Sequence, residues 1–161
     1  MQKVQSLSLS QKGVSRQHLQ VRITKLHPDA ILPTKGSVGA AGWDLYAVES
    51  MTIPKSATVM IPTGLAIAIP IGWEGQIRCR SSLGKRGMTL PNGVGTIDAD
   101  YRGELKVLAT FLGQGDTMSI EKGERVAQLL FAQVPETTFV EVESLDDTER
   151  GSGGFGSTGQ F

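Results

Sequence analysis

Arg80, Ser81 and Ser82 form the first segment of this sequence whose residue types are suited to handling a phosphate. They follow a predicted strand over 75–79 and open a segment, 81–86, that could form one short helical turn. A guanidinium, two hydroxyls and the N–H groups of a helix start together favour anion binding. An ordinary helix start, with Ser81 as the N-cap and Arg80 at the surface, would give the same pattern.

The densest group of polar residues lies between Asn92 and Glu104. Asn92-Gly93 indicates the tight turn of a hairpin, and Asp98, Asp100 and Tyr101 follow closely. One interpretation is a recognition hairpin with a catalytic carboxylate at its base. A polar turn with solvated acids fits the pattern equally well.

Asp44 stands inside an otherwise apolar run, 39–47. A carboxylate buried in such a run needs a charged or hydrogen-bonding partner. The pattern therefore indicates either a structural ion pair or a functional role, and it leaves both open.

The tail from Thr148 is rich in glycine and has almost nothing to bury. Residues 151–156 match G-x-G-x-x-G, but a dinucleotide site also needs a preceding strand, a following helix and a later acid, and this context is missing here. The tail does combine mobile N–H donors with a guanidinium, an aromatic ring and hydroxyls, which suit a lid over a polyphosphate and a base. A plain flexible terminus is the alternative.

Short alternating runs, punctuated by 20 glycines and 7 prolines, predict the strands that position these groups. A longer run over 126–134 is also predicted as a buried strand, and 139–142 as a weaker one. This pattern favours a β-sandwich or barrel of jelly-roll type. The alternating residues are Leu19, Val21 and Ile23; Ala57, Val59 and Ile61; Leu65, Ile67 and Ile69; Ile77 and Cys79; and Leu105, Val107, Ala109 and Phe111.

Composition excludes several classes of function. Sixteen basic residues balance sixteen acidic ones, which argues against binding duplex DNA through general positive charge. One cysteine, Cys79, and two histidines allow neither an intrachain disulfide nor a Cys/His zinc cluster. No run is apolar and long enough to span a membrane. We predict no nucleic-acid or membrane partner.

Residues 1–20 contain serine, glutamine and basic residues but no acid. Such a leader is typical of an organelle transit peptide or of a disordered tail. We predict a cytoplasmic protein, with nuclear or organellar targeting by this leader as the alternative.

Five segments in order resemble the five motifs of the trimeric dUTP pyrophosphatase (dUTPase) family. Each motif is weak alone, but the ordered set spans roughly residues 21–159. The motifs are AGWDLY at 41–46, RSSLG at 80–84, GTIDADYRG at 95–103, GERVAQL at 123–129 and RGSGGFGSTG at 150–159.

The resemblance implies an all-β fold, a distorted jelly-roll-like β-barrel with at most one short helix. It implies a homotrimer with shared active sites, in which the C-terminal tail is exchanged between subunits. We therefore expect a leader over 1–20, a barrel domain over 21–147 and a flexible lid over 148–161.

The resemblance also implies the reaction: hydrolysis of dUTP to dUMP and pyrophosphate, which keeps uracil out of DNA and supplies dUMP for dTMP synthesis. Asp98 would be the general base for water attacking the α-phosphorus. Tyr101 would lie against the deoxyribose and exclude a ribose 2′-hydroxyl. Uracil would be read by Asn92, by the backbone of Gly95, Thr96 and Ile97, and by the backbone of Lys106.

The phosphates would be held by Mg²⁺, which would bind through phosphate oxygens and water rather than directly to the protein. Asp44 would steady Arg80 or a magnesium-bound water from outside. The expected phosphate ligands are Arg80, Ser81, Ser82 and Gln128, with Phe155 and Gly156 of the lid over the base and Arg150, Ser157 and Thr158 on the far phosphate.

Two other functions remain as alternatives. The dCTP deaminases share the implied fold but carry a catalytic glutamate where Arg102 stands here, and they lack the glycine-rich lid. A non-enzymatic jelly-roll interaction module would need neither Asp98 nor Tyr101, and fold by itself does not establish function.

Overall fold

The computed structural model describes residues 18–157, which form eleven strands and one short helix. Leader residues 1–17 and Thr158 of the predicted lid lie outside the described residues. The elements are β1 (Arg22–Lys25), β2 (Trp43–Tyr46), β3 (Met51–Pro54), β4 (Thr58–Pro62), β5 (Leu65–Ala68), β6 (Trp73–Cys79), α1 (Ser81–Lys85), β7 (Met88–Thr89), β8 (Gly95–Ile97), β9 (Lys106–Phe111), β10 (Thr117–Ile120) and β11 (Arg125–Gln133).

The strands form four small antiparallel sheets. The largest has the order β2-β11-β6-β8, with the long strand β11 paired on both sides. A second sheet has the order β4-β9-β7, and two-stranded sheets pair β1 with β5 and β3 with β10. Most neighbours are distant in sequence, so the architecture depends on long-range pairing.

One main hydrophobic core joins the inward faces of these sheets. In and beside β9 the predicted alternation is confirmed, because Leu105, Val107 and Ala109 are fully buried and Phe111 nearly so. Burying each large apolar side chain stabilises the fold by about 1.5–3 kcal/mol. The alternating residues therefore favour a strand and also give it the apolar face that packs into the core.

Most predicted elements are confirmed. Strands occupy the alternating runs at 57–61, 65–69 and 105–111, and the run at 126–134 is strand β11. The predicted helical turn is helix α1, and it is the single helix among residues 18–157. The prediction of an all-β chain with at most one short helix is confirmed.

The weak strand predicted over 139–142 is wrong. These residues form no strand, and Phe139 and Val140 are 96% and 78% exposed. Alternation stabilises a strand only when a neighbouring strand supplies hydrogen bonds and a surface to cover, and no other described segment pairs with this one.

Two local predictions are also wrong. Ser81 is not the helix cap: Arg80 occupies the N-cap position, and no side chain caps the helix. The alternating face over 19–23 is not buried at Ile23, which is 38% exposed like the rest of β1, because β1 pairs only with β5 and stands at the edge of their sheet.

Asn92-Gly93 forms a turn but not the predicted hairpin. The Gly93 N–H donates to the Leu90 carbonyl at 2.9 Å. However, β7 before the turn pairs with β9, whereas β8 after it pairs with β6. The turn therefore carries the chain from one sheet to another.

Beyond Gln133 the described chain, through residue 157, contains no helix or strand. In the described part of the chain, no helix is both long and apolar enough to cross a membrane.

Candidate active site

A cavity of about 320 Å³ opens where β8 lies beside β6. Its walls combine apolar side chains with a few polar groups, as in many small-molecule sites. It brings together seven of the predicted site residues: Asn92, Gly95, Thr96, Ile97, Asp98, Tyr101 and Lys106.

Gly95 gives this cavity a wall made of backbone. It pairs with Ile77 of β6, and a Cβ on Gly95 would lie 3.2 Å from the Ile77 Cβ and 3.4 Å from Asn92 Nδ2. Such crowding leaves little space for a side chain. A ligand in the cavity can therefore approach the main chain of 95–97 directly.

Asp98 follows the last residue of β8, where the ladder ends. Its side chain is exposed, and within residues 18–157 its carboxylate takes part in no hydrogen bond or ion pair. The backbone carbonyl of Asp98 accepts the Tyr101 N–H at 3.2 Å. An ionised carboxylate that is free at the edge of a cavity can accept a proton from a water molecule.

Tyr101 lies on the opposite side of the same turn and is 43% exposed. Its hydroxyl donates to the Glu104 carbonyl at 3.0 Å. The ring folds back on Gly103, where an added Cβ would lie 2.6 Å from the Tyr101 Cζ. Only glycine at 103 allows this placement of the ring.

A second group of predicted residues surrounds Asp44, which is 5% exposed. One carboxylate oxygen is 3.0 Å from Arg80 Nε, and the other is 3.3 Å from Arg125 Nη1. Arg80 Nη1 also donates to the Arg125 carbonyl at 3.1 Å and to Ser82 Oγ at 3.5 Å. Two guanidiniums around one carboxylate leave one positive charge in excess.

The two groups are joined by strand β6. Ile77 lines the cavity, and the strand ends at Cys79, directly before Arg80. Gln128 of β11 lies opposite Asp44 on one side and Arg78 on the other. Ser81 and Ser82 are exposed in the first turn of α1.

The tail residues are not brought to this cavity. Arg150 Nε donates to the Gly153 carbonyl at 2.9 Å, and the other hydrogen bonds described within 148–157 are also internal to the tail. Phe155 is fully exposed and adopts a φ of 50°. Gly156 and Ser157 are exposed beside it.

Several residues of these groups were not predicted. Arg125 lies in one of the five motifs but was not among the predicted phosphate ligands. The alternation in β9 could have identified two of the cavity residues. Because Val107 and Ala109 face the core, Lys106 and Leu108 must lie on the other face of the strand. The unpredicted cavity residues are Met60, Ile77, Leu90, Glu104 and Leu108.

Other features of the chain lack the groups that a catalytic site needs. A larger cavity, of about 530 Å³, has no carboxylate among its lining residues, so it lacks a candidate base. Burial raises the pKa of the Cys79 thiol, which disfavours the nucleophilic thiolate. Across residues 18–157 no three histidine, cysteine or acidic side chains form a group that could hold a metal ion.

Comparison with known proteins identifies close relatives. The family model for dUTPase matches residues 28–159. The deoxyuridine 5'-triphosphate nucleotidohydrolase of Wolinella succinogenes is 49% identical over 143 residues, covering 88% of this chain and 95% of the relative. Its counterpart from Corynebacterium diphtheriae is 48% identical, covering 86% and 92%.

Solved structures match the fold. The dUTPase of Staphylococcus bacteriophage 80alpha with dUpNHpp aligns with a TM-score of 0.80 at 25% identity, covering 87% of this chain and 98% of that one. A mutant dUTPase from phage phi11 of S. aureus, described with a structural Mg(II) ion, aligns with a TM-score of 0.71 at 20% identity, covering 78% and 97%. The predicted jelly-roll-like barrel is confirmed by these matches. With the family model over most of its length and relatives of nearly half identity, this chain belongs to the dUTPase family.

Proposed function

We propose that this protein hydrolyses dUTP to dUMP and pyrophosphate in the cavity lined by β8 and β9. The observation that carries the proposal is the partner-free carboxylate of Asp98 at the edge of a nucleoside-sized cavity. The relatives named for this reaction support the choice of substrate.

The nucleoside would occupy the cavity. Main-chain N–H and carbonyl groups near Gly95, Thr96 and Ile97, with Asn92, would read the edge of uracil, and the backbone of Lys106 would complete the pocket. Tyr101 would lie against the deoxyribose and leave no room for a 2′-hydroxyl. Close backbone walls favour this selection because they leave little space for added substituents.

The phosphates would extend along the end of β6 toward the Asp44 group. The excess positive charge there supports binding of an anion, with Arg80, Ser81, Ser82 and Gln128 as ligands. In this arrangement Asp44 holds two arginines in place and does not itself touch the substrate.

Asp98 would act as the general base. It would take a proton from water as the water oxygen bonds to the α-phosphorus, and the bond from that phosphorus to the bridging oxygen would break. The products are dUMP and pyrophosphate. A positioned base contributes about 10²–10⁴ in rate, and donors aimed at the phosphates supply further stabilisation.

The donor set suits Mg²⁺ held by the triphosphate and by water. Asp98 is the one cavity carboxylate free of protein partners among residues 18–157, and Asp44 is engaged by two arginines. Either carboxylate would at most contact a water on the ion. When bound, Mg²⁺ would neutralise charge on the phosphates.

The active assembly would be a homotrimer with shared sites. The tail would close over a neighbouring subunit's cavity, with Phe155 and Gly156 over the base and Arg150, Ser157 and Thr158 on the far phosphate. The tail's hydrogen bonds are internal and its Phe155 ring is exposed, and both observations support the proposal that the tail is free to reach another subunit. In the cell the reaction would keep uracil out of DNA and supply dUMP for dTMP synthesis, with the cytoplasm as its proposed location.

The test is pyrophosphate release from dUTP, dCTP, dTTP and UTP in parallel, with magnesium and with ammonia followed in the dCTP sample. We expect release from dUTP alone, and loss of release when magnesium is chelated. Ammonia from dCTP would assign the protein to deamination instead. No release of pyrophosphate or ammonia with any of the four nucleotides would indicate a non-enzymatic binding module.

A further inference from the structure

Glu104 makes three contacts, one to the body of the barrel and two to residues of the cavity. Its Oε1 accepts the Gly64 N–H at 2.8 Å, and its Oε2 lies 3.5 Å from Lys106 Nζ. Its main-chain carbonyl accepts the Tyr101 hydroxyl at 3.0 Å. No other cavity carboxylate in the described chain has such contacts.

The Gly64 end of this link is closely packed and hydrogen-bonded. Gly64 adopts a φ of 67°, and an added Cβ would lie 2.9 Å from the His27 Cβ and 3.0 Å from the Ala30 Cβ. Its carbonyl accepts the Leu26 N–H at 2.7 Å. The surrounding barrel therefore holds this turn, and Glu104 is attached to a rigid point.

Two further hydrogen bonds join the same two segments. The Thr63 hydroxyl donates to the Leu105 carbonyl at 2.6 Å, and the Leu105 N–H donates to the Leu65 carbonyl at 2.7 Å. All three residues are fully buried. The 104–105 peptide group, which includes the Glu104 carbonyl, is thus held without the Glu104 side chain. The bond from the Gly64 N–H holds the Glu104 side chain and, through it, the Cα of residue 104 next to Gly103.

We propose that Glu104 is a positioning residue that sets the sugar-facing wall of the cavity through Tyr101. This inference rests on the proposed function. The Tyr101 hydroxyl is held by the Glu104 carbonyl, and the ring packs against the backbone of Gly103, so a shift of Gly103 and of the Glu104 Cα moves the ring. Asp98, in contrast, directly follows β8, whose ladder with β6 does not include Glu104, and its contact with this wall is the 3.2 Å hydrogen bond from the Tyr101 N–H to its carbonyl.

The two sides of the site therefore respond differently to loss of this side chain. Without the carboxylate the buried Gly64 N–H loses its acceptor and the wall at 101–104 loosens. Selectivity between deoxyribose and ribose should fall more than turnover of dUTP, because Asp98 directly follows a strand that the Glu104 side chain does not contact.

The experiment compares Glu104→Ala, Glu104→Gln and Glu104→Asp in hydrolysis of dUTP and UTP. Glutamine keeps an acceptor for Gly64. Aspartate keeps the charge near Lys106 but is too short to reach Gly64. We expect the ratio of kcat/KM for dUTP to that for UTP to fall about tenfold or more in the Ala and Asp variants, since a buried donor is left unpaired. It should stay within about threefold of wild type for Gln.

An unchanged ratio in both Glu104→Ala and Glu104→Asp would overturn the proposal, as would an equal loss in Glu104→Gln. If Glu104→Ala fails to fold, the Asp and Gln pair still decides. Wild-type turnover of dUTP in the same assay tests the proposed function separately. If wild type does not turn over, the ratio of affinities for dUpNHpp and its ribonucleotide counterpart replaces the kinetic ratio, with the same expected order of variants.

Discussion

At the scale of single residues, two aspartates of the site differ in their surroundings. Asp44 is buried and contacts two arginines, so its negative charge holds the two guanidinium groups in place. Asp98 is exposed, and among the described residues its carboxylate contacts no donor. Only the second arrangement leaves a carboxylate ready to take a proton from water.

Replacing Asp98 with asparagine should nearly abolish turnover, by about 10² or more, because the amide keeps the shape but cannot act as the base. Nucleotide affinity should persist, since the cavity walls are unchanged. Steady-state kinetics with dUTP and titration with dUpNHpp measure the two effects. Retention of a tenth or more of the wild-type kcat would contradict the assignment of Asp98.

Replacing Tyr101 with alanine should weaken discrimination against UTP by about tenfold or more, because removing the ring opens space beside the sugar. Tyr101→Phe is the matched control: it keeps the ring and loses only the bond to the Glu104 carbonyl, so it should lose less selectivity. The measurement is kcat/KM for both nucleotides. Undiminished selectivity in Tyr101→Ala would remove its proposed role.

At the scale of elements, close backbone approach fixes the end of helix α1. Gly87 follows the helix with a φ of 93°, and an added Cβ would collide with the backbone of Gly113. The Leu112 N–H donates to the Gly87 carbonyl at 2.8 Å. This contact joins the segment after Arg80-Ser81-Ser82 to the end of β9, so it helps to orient the residues proposed to bind the phosphates.

A matched pair of glycines tests this contact. Gly87→Ala should destabilise the protein by about 2 kcal/mol or more, through the positive φ and the collision. Gly84→Ala, inside the helix with open space around it, should be neutral or stabilising by about 0.5–1 kcal/mol. Thermal unfolding at one fixed protein concentration compares them. Equal stability of both variants would show that the backbone contact at 87 is dispensable.

The tail is an element without a partner in its own chain. Truncation after Glu149 removes no strand and no core residue, so the protein should fold and assemble as before. Catalysis should fall by about tenfold or more, because the proposed lid would position the phosphates and the uracil. Phe155→Ala should reproduce part of the loss. Circular dichroism and dUTP kinetics provide the readouts, and an unchanged rate in the truncated protein would refute the lid.

At the scale of the whole molecule, apolar side chains remain uncovered after the last strand. Phe139 and Leu145 are 96% and 84% exposed in an extended segment that joins no sheet. Exposed apolar surface of this kind often marks an interaction site. A neighbouring subunit would cover it in the proposed trimer.

Sedimentation equilibrium should therefore find particles of three 17.2 kDa chains. The protein truncated after Glu149 should also sediment as three chains, each lighter by the removed tail, because it keeps the 139–145 segment. Phe139→Asp should weaken assembly by placing a charge in the covered surface. A monomer at a protein concentration of about tens of micromolar would contradict the trimer.

The sequence alone determined the properties that are local. Alternation of apolar residues in β4, β5 and β9 marks strands because the period of two is built into the strand itself. The order of the five motifs identifies the family, and most of the cavity residues lie in one continuous stretch between 92 and 106.

Only the tertiary structure decided the contacts between distant segments. Glu104 reaches Gly64 and Asp44 reaches Arg125 through pairings that no local pattern encodes. The Asn92-Gly93 turn joins two sheets, and the run at 139–142 forms no strand, because each outcome depends on which strand is available as a neighbour. A strand's period is a property of its own residues, whereas its partner is chosen by the packing of the whole barrel.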